Sequence, residues 1–107
     1  MRSPLKISLF TLIVFSPITL NLADAGDLTF TQVCSECHTG GFKGWVSGAP
    51  DVQDKTEWTK FIERDSADKM KKIVLNGSAE HKVKGGCKSC SSHDIENTID
   101  YMLSLVK

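Results

Sequence analysis

The sequence has 107 residues and carries 13 Lys+Arg against 13 Asp+Glu, a net charge of zero with its three histidines neutral. That balance excludes the strongly basic face a nucleic-acid surface needs. The length suits one small domain, near the size at which an apolar core alone is marginal and a staple is wanted.

The chain opens with a short basic region, Arg2 and Lys6. An apolar run from Ile7 to Leu22 follows, interrupted by Pro17, and ends at Ala23-Asp24-Ala25. This is the layout of a secretory signal with an A-x-A cleavage site, so residues 1–25 are expected to be removed and the mature chain to begin at Gly26. An uncleaved membrane anchor is the competing reading, but the strongly apolar stretch is short for a span and contains Pro17. No cysteine precedes Cys34, so lipid attachment beside the cleavage site has no support. No stable anchor is therefore expected after cleavage. Residues 26–107 form an 82-residue mature chain with 11 Lys+Arg and 12 Asp+Glu, since Arg2, Lys6 and Asp24 leave with the signal. Export points to the bacterial periplasm, where disulfides persist.

Gly26-Asp27 reads as a helix start, and Leu28, Phe30 and Val33 lead into Cys34-Ser35-Glu36-Cys37-His38. A C-x-x-C-H run is the attachment site of a c-type haem. Thiols three residues apart lie about one helical turn apart, so both can add to the vinyl groups on one porphyrin edge. The histidine that follows is then placed to ligate the iron. Half a zinc site and a simple disulfide are the bland alternatives. One covalent haem would supply most of the core of so small a domain, and export is where bacteria assemble it.

Thr39 to Pro50 is glycine-rich and reads as a loop passing close to something bulky; Trp45 within it has no assignment. Asp54 with Glu57 resembles a capping box, opening a short helix with a Trp58, Phe61, Ile62 stripe. Ser66 caps the next helix, where Met70, Ile73 and Val74 share a face before the Asn76-Gly77 stop. Val83 to Cys90 has no periodicity. Ser91, with Asp94 at the third helical position, opens a last helix with a stripe of Ile95, Ile99, Met102 and Val106. No stretch reads as a strand, so the expected fold class is all-α.

In motif, helix order and length the mature chain resembles a class I cytochrome c, and most closely the cytochrome c5 family. The resemblance implies N- and C-terminal helices packed crosswise around one haem, with Gly26 and Phe30 meeting Tyr101. It implies that the Pro50 carbonyl, in Gly48-Ala49-Pro50, accepts a hydrogen bond from His38 and fixes that ligand's orientation. Trp58 resembles a family tryptophan near the haem propionates, although a helix-core role suits it equally. Lys84-Gly85-Gly86-Cys87-Lys88-Ser89-Cys90 is the most family-specific segment, and in the family the two cysteines form a small disulfide. For Cys87 and Cys90 a metal site shared with Cys34 and Cys37 and a thioredoxin-like redox pair are the other readings.

The chain departs from the family where the axial methionine usually stands. Aligned on Lys84, that position is His81, so His38 and His81 are expected to be the two iron ligands. An exposed loop histidine is the alternative reading of His81. Met70 and Met102 sit on apolar stripes, His93 at a helix start, and Lys82 or Lys84 could ligate only as neutral amines. A second imidazole donates more strongly to ferric iron than a thioether does, which lowers the expected potential. Lys82, Lys84 and Lys88 flank the proposed ligand and could form a positive rim for an acidic redox partner. Asp51, Asp54, Glu57 and the other carboxylates look like caps and solvation, with no general acid/base set. The leading function is a periplasmic one-electron carrier rather than an enzyme. A gas-binding sensor or haem enzyme with an open sixth site is the alternative, and a haem subunit of a larger complex is a third reading.

Overall fold

The structure, a computed structural model, describes residues 13–14 and 22–107. The proposed signal's basic region, Pro17 and almost all of its apolar run lie outside the described residues. Helix α1 spans Leu22–Thr29 and continues through a π turn, Phe30–Cys34, into the single-turn α2, Ser35–His38. Then come α3 (Gly41–Ser47), α4 (Lys55–Arg64), α5 (Ala67–Asn76), a 3-10 turn (Val83–Gly86) and α6 (Ser92–Val106). Among the described residues there is no strand, only an isolated antiparallel bridge between Ser78 and His81. The fold is all-α.

The caps explain where the later helices begin. Ser91 Oγ accepts from the Asp94 N–H at 3.0 Å and the Asp94 carboxylate accepts from the Ser91 N–H, closing a capping box at the head of α6. Ser66 Oγ accepts from the Lys69 N–H at 3.1 Å and starts α5. The Asp54 carboxylate does the same for the Thr56 N–H at the start of α4.

Helix α6 supplies much of the core. Ile95, Ile99, Met102, Leu103 and Val106 are buried together with Phe30, Val52 and Trp58. Burying side chains of this size stabilises by about 1.5–3 kcal/mol each. Helices α1 and α6 cross at Gly26, where a Cβ would stand 2.7 Å from the Asn97 carbonyl oxygen and 3.0 Å from Tyr101 Cβ. Only a glycine permits that approach. The Phe30 and Tyr101 rings pack beside it with centres 5.6 Å apart, and Thr98 Oγ1 donates to the Gly26 carbonyl. The expected crossing of terminal helices is present at the expected residues.

Two local features differ from the sequence reading. The described part of the first helix already includes Leu22, upstream of Gly26, in keeping with the strong helix formers Ala23 and Ala25. The glycine-rich stretch after His38 contains helix α3. Two of its glycines bracket the helix and two lie within it: Gly40 precedes it, Gly41 opens it, Gly44 is buried inside it, and Gly48 ends it by donating to the Gly44 carbonyl at 3.0 Å. The segment from Val83 is a tight turn with Lys84, Gly85 and Gly86 all at positive φ.

Candidate haem site

The π turn sets the first half of the site. The Ser35 N–H donates to the carbonyl of Phe30, five residues back, which shifts the helical register at Cys34. One turn of α2 then carries Cys37 and His38. Cys34 and Cys37 are both half-buried free thiols. Burial, and after it the neighbouring Cys37, pushes the Cys34 thiol up to about 11, so it stays protonated.

His38 Nδ1 lies 2.8 Å from the Pro50 carbonyl oxygen. A carbonyl can only accept, so Nδ1 carries the proton and Nε2 keeps the lone pair that a metal needs. Burial, the largest influence, holds the imidazole below its ordinary basicity, against the opposing pull of the Pro50 bond. The proximal segment is tied at several points. The Val52 N–H donates to the His38 backbone carbonyl at 2.9 Å, and the Asp51 N–H donates to the Glu57 carboxylate at 2.8 Å. Trp58 is buried beside His38, ring centres 5.6 Å apart, and its indole N–H donates to the Asp51 carbonyl at 2.9 Å. The indole proton expected to reach a propionate is thus engaged by backbone, while the ring walls the histidine.

His81 stands across from His38. Its Nδ1–H donates to the Lys82 carbonyl at 2.7 Å, again leaving Nε2 free. Ser78 and His81 exchange both backbone hydrogen bonds, at 2.9 and 3.3 Å, so His81 sits on a closed turn. Gly77 ends α5 just before it, packed under Val83. The two imidazole centres are 6.3 Å apart with planes 25° from parallel. Two metal–imidazole bonds of about 2 Å, plus roughly 1.2 Å from each nitrogen to its ring centre, also span about 6 Å. The ring spacing therefore matches that of two imidazoles sharing one iron, and two half-buried free thiols precede His38 by one and four residues.

The remaining candidates lie elsewhere. Met102 is buried in the α6 core, Met70 packs half-buried against that core, and His93 is exposed on the first turn of α6. Cys87 and Cys90 are paired, with Cα atoms 5.5 Å apart. The Lys84 ammonium donates to the Cys90 carbonyl at 2.9 Å, so it braces that loop instead of joining Lys82 and Lys88 on an exposed rim. Trp45 is 79% exposed on the outer face of α3, its ring centre 6.2 Å from that of Phe42 with the planes tilted by 40°. The sequence reading missed the π turn and the Glu57–Asp51 bond. The Asp54-x-x-Glu57 pattern signalled a carboxylate reaching back, but its partner is the Asp51 N–H.

No curated protein matches the chain. Among solved structures, the chain is similar to the cytochrome c of a crystal structure described as an electron transfer complex of nitrite reductase with cytochrome c. The two are 26% identical with a TM-score of 0.65, over 78% of this chain and 95% of that one. Residues 21–102 match the family described as cytochrome c oxidase, cbb3-type, subunit III, and the chain belongs to this family of cytochrome c domains, which carry covalently attached haem c.

Proposed function

We propose that the mature chain, residues 26–107 after removal of a signal at residues 1–25, is a periplasmic one-electron carrier of the cytochrome c5 type with two histidine ligands. The observation that carries this reading is the facing pair His38 and His81, 6.3 Å apart, each with Nδ1–H bound to a backbone carbonyl. Cys34 and Cys37 would form the thioethers, and Nε2 of His38 and of His81 would be the axial donors. Bound there, haem c supplies reversible one-electron cycling between ferric and ferrous iron. The Pro50 carbonyl orients His38, the Ser78–His81 turn presents His81, and Trp58 keeps water from the proximal ring. A Cys87–Cys90 disulfide would brace the distal loop. Two imidazoles lower the potential below that of methionine-ligated relatives, because ferric iron gains more from the stronger donor.

A protein redox partner is supported by the neighbour's complex with nitrite reductase and by the family's description as an oxidase subunit. Lys82 and Lys88 would meet an acidic partner, which makes the association sensitive to salt. The test is the visible spectrum of the haem-loaded protein beside His81→Ala. The wild type is expected to be low-spin in the ferric state and indifferent to carbon monoxide in the ferrous state. His81→Ala should turn high-spin and bind carbon monoxide readily. A high-spin or carbon-monoxide-binding wild type overturns the ligand assignment and favours a gas-binding or catalytic haem site.

A further inference from the structure

The carbonyl that orients His38 is one end of a peptide unit whose other end is the Asp51 N–H. His38 Nδ1–H donates to that carbonyl at 2.8 Å, and the Asp51 N–H donates to Glu57 Oε2 at 2.8 Å. The two bonds share one planar, conjugated amide. They form a continuous chain from the imidazole to an anionic carboxylate. We propose that Glu57 is a positioning and potential-setting residue, acting on His38 through the Pro50–Asp51 peptide. The proposal rests on the reading of His38 as the proximal ligand.

The chemistry follows from polarisation. A carboxylate at the amide N–H draws positive charge to the nitrogen end and leaves the carbonyl oxygen more negative. Linked hydrogen bonds strengthen one another by about 10–30% each, and charged acceptors give the stronger bonds. A more negative Pro50 oxygen pulls harder on the Nδ1 proton, which makes Nε2 a better donor. Better donation favours ferric iron, so the intact chain holds the potential down.

The surrounding bonds keep this geometry in place. The Trp58 indole holds the Asp51 carbonyl at 2.9 Å, and the Val52 N–H holds the His38 carbonyl at 2.9 Å. Glu57 passes over the nearer N–H of a capping box, because the Asp54 N–H is taken by the Asp51 carbonyl at 2.9 Å. The Asp51 carboxylate accepts from the Gln53 N–H, so it does not compete for this amide proton.

The test uses the haem-loaded full chain as wild type, Glu57→Gln and Glu57→Ala. Gln keeps an acceptor at the Asp51 N–H and removes the charge; Ala removes both. Midpoint potential is measured at low and high ionic strength, and the His38 Nδ1 proton is followed by NMR in the ferrous state. Both variants should show a raised potential and an upfield shift of that proton, and both effects should persist in high salt. A Glu57→Gln protein with wild-type potential and proton shift overturns the proposal, since Glu57 would then act only as a brace. A potential difference that vanishes in high salt overturns it too, because charge acting through solvent is screened. Absence of a haem-shifted His38 resonance in the wild type is a separate failure, that of the ligand assignment itself.

Discussion

Gly77 is the hinge on which His81, the proposed distal ligand, depends. It sits at φ 76°, ψ 166°, a region that side-chain-bearing residues occupy at a cost of about 1–3 kcal/mol. A Cβ there would also stand 2.6 Å from Val83 Cγ2, 3.2 Å from the Val83 nitrogen and 3.4 Å from the His81 carbonyl oxygen. Two of those atoms belong to the backbone that carries His81, so Gly77→Ala pushes directly on the ligand's turn. Opening the loop between α5 and the 3-10 turn relieves the strain. At about 2 kcal/mol of relief, the His81-dissociated state gains roughly 30-fold in population. Cyanide binding to the ferric protein reads that population, because the external ligand enters only where His81 has left; its apparent affinity should rise by the same factor. Adding Val83→Ala should recover the contact part of the effect and leave the backbone part. An unchanged cyanide affinity in Gly77→Ala would refute the reasoning.

The crossing of α1 and α6 predicts that Gly26→Ala destabilises the haem-loaded protein. Overpacking against the Asn97 carbonyl and Tyr101 costs about 1–3 kcal/mol, against a helix-propensity gain of at most about 1 kcal/mol. A melting temperature at or above wild type, followed by circular dichroism, would count against the crossing. Asp65 is buried between α4 and α5, and the hydrogen bonds from Arg64, and after them the ammonium of Lys69, hold its carboxyl below the usual range. A folded-state value below the unfolded one adds stability above the unfolded pKa and loses it as pH falls through the folded value. Asp65→Asn should therefore lower the melting temperature at neutral pH, with the gap closing on acidification. A gap that stays constant with pH excludes the ion-pair account.

Much of this site is legible in the sequence because its chemistry is local. Cys34, Cys37 and His38 are fixed by their spacing along one helical turn, and the caps at Ser66 and Ser91 act within three residues. Gly26, Phe30 and Tyr101 were legible through resemblance, since a close helix crossing demands a glycine and an aromatic partner. The π turn was not legible. It differs from an α-helix by one backbone bond, Ser35 N–H to the Phe30 carbonyl, and no residue type requires it. Helix α3 was hidden because two of its four glycines lie inside it, and glycines that cap or pack a short helix look, in one dimension, like glycines that forbid one. Glu57 was read as a cap for a different reason. The pattern shows that a carboxylate reaches back, but the path of Asp51 to Asp54 decides which N–H it meets. Lys84 likewise reads as one of three exposed lysines, because its hydrogen bond to the Cys90 carbonyl, six residues on, depends on the path of the turn between them.

The two histidines are held by different means. Pro50 offers His38 a carbonyl whose own amide is polarised by Glu57. Lys82 offers His81 a carbonyl that also accepts from the Gly85 N–H at 3.1 Å, so its pull is divided between two donors. His81 is instead secured mechanically, by the Ser78 bridge and by Gly77 under Val83. With both histidines on the iron, donor strength would be set mainly on the proximal side, and ligand exchange mainly on the distal side. Glu57→Gln changes electron donation while leaving the distal turn intact; Gly77→Ala loosens the turn while leaving the proximal amide polarised. A carrier needs both controls to be separate. Its potential must suit its partners while the iron stays closed to small ligands, and under the proposed ligation each demand would fall on its own loop.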